Sequence, residues 1–260
     1  MTRLLAPAKL TMSLAVTGVR ADGYHELRSE MVSLSLADEL TFSEGGTELS
    51  LVADPGTRAD ELASTEDNLI TRALAAVGRQ AAVHVVKRIP LGGGLGGGSS
   101  DAAAVLRWAG CADPHVALAL GSDVPFSVIG GRALVEGTGE RVTALAFEER
   151  EFLLLLPPFG VTTALVYAAW DALLRKDHPD DRVNALTRAA LAVEPRLAEW
   201  RDALGETTGA EPTLAGSGST WFVEVAPSPA GTEDPTWLTR GQARGRLIRA
   251  HTVPAGWGES

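Results

Sequence analysis

The run Lys87-Arg-Ile-Pro-Leu-Gly-Gly-Gly-Leu-Gly-Gly-Gly-Ser-Ser-Asp-Ala-Ala-Ala-Val-Leu106 constrains this chain more than any other stretch. It joins a β-branched run to an alanine-rich helical run through six glycines, two serines and an aspartate. Glycine reaches φ > 0 without steric cost and lets backbone N–H groups approach an anion closely. A helix opening near Ser99 adds unpaired N–H donors and the positive end of its dipole. Strand, glycine turn and helix N-terminus together make a phosphate cradle, and polyphosphate is the ligand it suits.

Neighbouring patterns fit less well. Gly92, Gly94 and Gly97 satisfy G-x-G-x-x-G, with Asp113 as a candidate later acid, but a dinucleotide fingerprint closes the first strand of its domain and about ninety residues precede this one. The Walker A pattern fails because Ser99, not lysine, follows the last glycine. A flexible linker is disfavoured because Val83 to Ile89 and Ala102 to Leu106 flank the loop without a break.

At 260 residues, 45% hydrophobic and 22% charged, the chain can bury a real core as one large domain or two small ones. A net charge of −10 argues against a nucleic-acid surface while leaving small anionic ligands open, since backbone donors can hold them. The single cysteine, Cys111, excludes an intrachain disulfide framework, and the first residues lack the apolar core of a signal peptide, so a cytoplasmic location is expected. The apolar run Leu153 to Pro158 is far short of the ~20 residues that span a bilayer, so no membrane contact is expected.

Periodicity predicts strands at Leu10–Thr17, Met31–Leu36, Glu39–Ser43 and Glu48–Ala53, with turns at Asp22-Gly23, Gly45-Gly46 and Pro55-Gly56. Asp67 is the expected cap of a helix over Asn68–Gly78, and Ala81–Ile89 is the strand feeding the glycine loop, whose helix runs to about Ala109. Beyond Gly121-Ser-Asp-Val-Pro-Phe126 come a hairpin, Arg132–Glu136 and Arg141–Leu145 around Gly137-Thr-Gly139, and a buried strand Phe152–Leu156. Pro157-Pro158 marks a boundary. Helices are expected over Thr162–Arg175, Val183–Val193, Pro195–Leu204 and near Trp237–Gln242, with a strand over Thr220–Val225, a loop over Ala226–Pro235 and a frayed end.

In order along the chain, Pro7-Ala-Lys-Leu10, Arg20-Ala-Asp-Gly-Tyr-His-Glu-Leu27, the loop from Pro90 to Ser100, Leu120-Gly-Ser-Asp-Val-Pro125 and Gly216-Ser-Gly-Ser219 resemble the motifs of the GHMP kinase superfamily. The segment Ala21-Asp-Gly-Tyr-His-Glu-Leu27 is the most specific of these. The resemblance implies an α/β (α+β) fold of two parts. These are a ribosomal-S5-like ATP-binding lobe over residues 1–150 and a ferredoxin-like lobe over residues 151–260, with the site between them. It implies ATP-dependent phosphorylation of one hydroxyl on a cytidine-diphosphate-linked polyol, a step of non-mevalonate isoprenoid synthesis, by a monomer or homodimer that binds small molecules only.

Phosphoryl transfer asks the protein to align reactants, neutralise charge and receive one proton. By resemblance Asp123 is the base and Lys9 its charge partner. ATP is bound by Pro90, Leu91, Gly92, Gly93, Gly94, Leu95, Gly96, Gly97, Gly98, Ser99 and Ser100. Taken alone, Asp123 also reads as a helix cap and Lys9 as a surface lysine, although only three of the 23 basic residues are lysines and Lys9 and Lys87 both lie in motifs. The chain has two tyrosines, Tyr24 and Tyr167, and both stand where the family places rings around cytosine. Tyr167, in an apolar helical stretch, reads equally as core. His25 is expected at the base edge, with Thr163 and Lys87 at the ribose or phosphates. Thr11 is a further expected substrate contact. It stands where the family usually has asparagine, and a hydroxyl lacks the paired geometry of an amide.

Mg²⁺ is expected to arrive with ATP, touched by Ser99 or Ser100, without a dedicated metal cage. Asp101 reads either as a complement to the helix N-terminus or as a further aid to the ion. Trp108–Leu120 is short by about a helix for the family, and the C-terminus is abbreviated. Two other functions stay open on the sequence: a GHMP kinase acting on a homoserine- or mevalonate-like alcohol, and a divergent nucleotide-binding protein with little activity.

Overall fold

A computed structural model describes residues 1–54, 57, 68–174, 183–226 and 236–258. The expected turn at Pro55-Gly56, the Asp67 cap and most of the loop before Pro235 lie outside these residues. Two sheets organise the chain. In the first, β1 (Thr2–Val19) and β2 (His25–Glu44) form one long antiparallel hairpin. The two strands expected at Met31–Leu36 and Glu39–Ser43 are one continuous strand, because Leu40 and Phe42 continue its buried face. The far edge of β2 is shared: residues 27–32 pair with β5 (Arg132–Gly137) and residues 39–44 with β4 (Ala81–Lys87). The flanks are β3 (Leu49–Ala53), parallel to β4, and β6 (Arg141–Ala144), which closes the expected hairpin on β5.

Four helices cover one face of this sheet: α1 (Leu69–Ala76), α2 (Gly97–Trp108), α3 (Pro114–Leu120) and α4 (Val124–Ile129). Asn68 caps α1 by accepting from the Ile70 N–H at 2.9 Å. The helices α3 and α4 carry too few residues to show a periodicity, although Asp113 before Pro114 and Asp123 before Val124-Pro125 are start signals. The unbroken buried run Ser100 to Leu106 makes α2 the central helix, wedged against Leu40, Phe42, Val83 and Val85.

The second sheet runs β10-β11-β7-β9-β8, built from β7 (Glu151–Leu156), β8 (Thr213–Leu214), β9 (Trp221–Val225), β10 (Thr236–Arg240) and β11 (Ala243–His251). The helices α5 (Thr163–Leu174), α6 (Thr187–Val193) and α7 (Leu197–Thr208) cover one face, with Val166, Trp170, Trp200 and Trp221 in the core. The helix expected near Trp237–Gln242 is instead strand and turn. Exposure alternates from Trp237 to Arg240, and Gly241 turns the chain at φ +58. The last two residues, expected to be frayed, lie outside the described ones, and before them β11 lies inside the sheet, with Leu247, Ile248 and Ala250 buried. A third apolar cluster joins the sheets, bringing Leu10, Leu34, Ile89 and Leu95 against Phe152, Leu154, Phe222 and Ile248.

One buried ionic knot fixes the strand that delivers the glycine loop. Lys87, at the end of β4 and 1% exposed, donates to Asp38 of β2 and, at 2.5 Å, to Asp101 of α2. Asp38 also accepts the Arg88 and Ile89 N–H groups at 2.5 and 2.8 Å. Lys87 is therefore sealed beneath the loop, which corrects its expected role at the ribose or phosphates. Asp101 likewise faces Lys87, not a bound ion. Burial pushes the Asp101 carboxyl up to about 7, with Lys87 opposing the shift. A carboxyl raised in this way favours folding in its protonated form, and that contribution is lost as pH rises through about 7. Lys87→Met leaves two buried carboxylates without their cation and should cost about 3–5 kcal/mol. Urea denaturation should show a larger loss above that pH than below it, where Asp101 can take up a proton. An equal loss on both sides would show that charge compensation is not the role of Lys87.

Candidate active site

The glycine loop passes between the two sheets, and two of its glycines are sterically obligatory. At Gly94 (φ +75) a Cβ would lie 2.7 Å from the carbonyl oxygens of both Ala215 and Gly218, and at Gly96 (φ +69) it would lie 2.7 Å from Cγ of Lys9. The helix α2 begins at Gly97, two residues before the expected start, with left-handed Gly96 as its cap and no side-chain cap bond. The N–H groups of its first turn are left for a ligand. Gly94, Gly96 and Ser99 face a cleft of about 790 Å³. Ser100 does not, because its buried hydroxyl donates to the Pro7 carbonyl at 2.6 Å, so its expected side-chain contact with a metal ion is corrected. Leu95 is core, and Pro90, Leu91 and Gly93 line a separate small cavity on another side of the loop.

Beside the α2 N-terminus, Lys9 and Asp123 line the same cleft. The Lys9 N–H donates to Leu95 O at 3.0 Å, tying β1 to the loop, while the side chain, 6% exposed, runs along Gly96. Its Nζ lies 3.5 Å from Oδ2 of Asp123 and donates to Thr11 Oγ1 at 3.1 Å. Asp123 occupies the N-cap position of α4, yet its side chain makes no capping hydrogen bond, so the carboxylate is left to Lys9 and the cleft. The β5–β6 hairpin holds this segment in place: a Cβ on Gly139 would lie 2.1 Å from Ser122 O.

The other end of the cleft is aromatic. His25 stacks on Tyr167 with centroids 4.7 Å apart, meets Trp170 edge-on at 5.4 Å, and its Nε2 lies 2.8 Å from Oδ1 of Asp171. Tyr24 stands at the rim, 64% exposed. The partner stacked on Tyr167 is thus His25, and Tyr24 and Tyr167 both line the cleft. Tyr167 also packs partly against the α5–α7 core. Burial, and secondarily the Asp123 carboxylate, push its phenol well above the usual range, so it stays neutral. Thr163, at the start of α5, shares a 2.8 Å hydrogen bond with Ser217.

Lys9, Thr11, Tyr24, His25, Asp123, Thr163 and Tyr167 therefore meet around one cavity, although they come from both halves of the chain. Sequence reasoning missed Asp171, Ser122, Thr138 and Ser217, which also line it. It missed Asn184 as well, whose amide donates to Leu214 O and Gly216 O at 2.8 and 2.7 Å and shapes the late glycine turn. Asp171 had a signal, because it falls four residues after Tyr167 and so shares its helix face.

This geometry has counterparts. Residues 68–131, which contain the loop and α2, match the family of GHMP kinases N terminal domains. The chain is 38% identical to 4-diphosphocytidyl-2-C-methyl-D-erythritol kinase of Paracoccus denitrificans, over 85% of either chain. It is 39% identical to the enzyme of the same name from Pseudomonas syringae pv. syringae, over 84% of this chain and 83% of that one. A crystal structure of 4-(cytidine 5'-diphospho)-2C-methyl-D-erythritol kinase superposes with a TM-score of 0.67 at 34% identity, over 87% of this chain and 91% of that one. The mevalonate kinase of L. major, at 14% identity and a TM-score of 0.58, shares the fold alone. With the loop, the lysine–aspartate pair and the aromatic end in one cleft, and with relatives matching over most of their length, the chain belongs to the 4-diphosphocytidyl-2-C-methyl-D-erythritol kinase family of GHMP kinases.

Proposed function

We propose that the protein transfers the γ-phosphoryl group of ATP to the 2-hydroxyl of 4-diphosphocytidyl-2-C-methyl-D-erythritol, a step of non-mevalonate isoprenoid synthesis. The observation that carries the chemistry is the 3.5 Å approach of Lys9 to an uncapped Asp123 facing the first turn of α2. The α2 N–H groups and the glycine turn hold the phosphates, the Asp123 carboxylate accepts the proton of the acceptor hydroxyl, and Lys9 offsets negative charge between them. Mg²⁺ brought by ATP would supply positive charge that offsets the phosphates. Ser99, which faces the cleft, suits that ion, since a hydroxyl beside phosphate oxygens is a hard donor set that leaves room for its waters. Exposed Tyr24 stacks on the cytosine at the rim, opposite the His25–Tyr167 pair.

An assay of ADP release with 4-diphosphocytidyl-2-C-methyl-D-erythritol, homoserine and mevalonate as acceptors tests the assignment. Transfer to the first alone is expected, whereas transfer only to another alcohol would overturn it. Asp123→Asn keeps the shape of the side chain but removes its charge, and kcat should fall ~10²–10⁴-fold with little change in either KM. Lys9→Met should cost a comparable factor, and the double variant little more, because paired groups act as a unit. Turnover of Asp123→Asn close to that of the unaltered protein would exclude it as base. Tyr24→Ala removes a base stack worth roughly 1–3 kcal/mol, so KM for the cytidylyl substrate should rise about tenfold or more while KM for ATP holds. Equal shifts in both constants would place Tyr24 outside base recognition.

A further inference from the structure

Behind the glycine loop, away from Lys9 and Asp123, the structure holds a buried guanidinium that forms no ion pair among the described residues. Arg246 of β11 lies opposite Leu156 of β7 and is 9% exposed, and its Nε and Nη1 atoms are buried without a hydrogen-bond partner. Among the described residues no carboxylate lies within ion-pair distance of it. Asp54 is near enough to favour its charged form, but burial outweighs that contribution and lowers the guanidinium pKa. A guanidinium keeps its proton in proteins, so it cannot escape the desolvation cost by becoming neutral. Its orphaned donors need acceptors.

Arg246 also lines a cavity of about 170 Å³, together with Arg244, Ser219, Leu91, Gly93 and Trp237. The cavity adds a second cation and a hydroxyl. The Arg244 guanidinium lies 4.9 Å over the Trp237 ring, which fixes its plane at the mouth. The opposing wall is the glycine loop itself: a Cβ on Gly93 would lie 3.1 Å from Thr220 Oγ1 and 3.5 Å from Leu156 Cδ2. Gly93 O also accepts the Thr220 N–H at 3.3 Å. Two guanidinium groups around a space of this size make forked recognition of a tetrahedral oxyanion possible, which a lysine pair would not give.

We propose that Arg246 and Arg244 form a phosphate-class oxyanion site on the outer side of the glycine loop, distinct from the catalytic cleft. Its ligand is inorganic phosphate or the phosphoryl group of a small metabolite. Occupancy neutralises Arg246 and clamps the outer wall of the loop to the second sheet.

The test is thermal denaturation of the full chain with saturating ADP and Mg²⁺, so that the catalytic cleft is filled. Inorganic phosphate, then a phosphomonoester such as glycerol phosphate, is titrated against chloride at matched ionic strength. A saturable rise in Tm with phosphate is expected. Arg246→Met should weaken that binding at least tenfold, and without phosphate it should be as stable as the unaltered protein or more so, because an unpaired buried charge has been removed. Arg244→Gln, an exposed change that leaves the core intact, should weaken it several-fold. A phosphomonoester binding as tightly as phosphate identifies a metabolite as the ligand, and binding of the free ion alone identifies inorganic phosphate. Absence of a saturable shift, a shift unchanged in both variants, or displacement of ADP by phosphate would each overturn the proposal. Because ADP binding is read in the same experiment, failure at this site is distinguishable from failure of the kinase assignment.

Discussion

The Lys87 knot carries the architecture because it lies where three elements must agree. Its lysine ends β4, one aspartate belongs to the central strand β2 and the other to α2. The same Asp38 accepts the next two backbone N–H groups, so the chain leaves the sheet in one fixed direction before the glycines begin. A loop with six glycines has a large conformational entropy to lose. Anchoring both ends by charge, at the strand and at the first turns of the helix, confines that freedom to the segment that approaches phosphate. Because removing one member of such a group leaves another charge stranded, the knot specifies the geometry more strongly than its net contribution to stability would suggest.

The second constraint is steric. Leu95, between the glycine triplets, is driven into the cluster that joins the sheets, and its carbonyl accepts the N–H of Lys9. Gly94 and Gly96 on either side of it touch the late glycine turn and the lysine side chain. One apolar anchor therefore sets the position of the phosphate cradle relative to the lysine and to the C-terminal half. Lys9 and Asp123 are each placed by regular structure: Lys9 is held by strand pairing, and Asp123 by a short helix packed under the β5–β6 hairpin.

Much of this was legible in the sequence. The loop, its strand and helix, the β5–β6 hairpin, α5, α6, α7 and β9 follow from periodicity and glycine placement, whereas the two-residue β8 does not, and the motif resemblance brought Lys9, Asp123, His25 and the tyrosines to one cleft. What escaped had physical reasons. A helix as short as α3 or α4 carries too few residues for a period to emerge, and Trp237–Gln242 is too short to separate the two periods, so only pairing with β11 decides it. Lys87 was misread because a lysine before a glycine loop suits a phosphate, whereas its partners, Asp38 and Asp101, are distant in sequence and ambiguous alone. Nor does a single chain show that Ser100 turns back to Pro7 while Ser99 faces the cleft, since adjacent helical residues differ by about 100° in direction.

Tyr167 shows why core and site cannot be separated here. Its ring packs partly with Trp170 and the α5–α7 core, and its other surface supports His25, which Asp171 holds by a hydrogen bond from the same helix face. The aromatic end of the cleft is thus an outgrowth of the second hydrophobic core, while the glycine-loop end is an outgrowth of the first, through α2. The burial that raises the Tyr167 phenol also keeps it uncharged, so the aromatic wall adds no second negative charge beside Asp123. Two independently packed cores present complementary chemistry to one cleft, and the glycine loop, anchored to both, sets the distance between them.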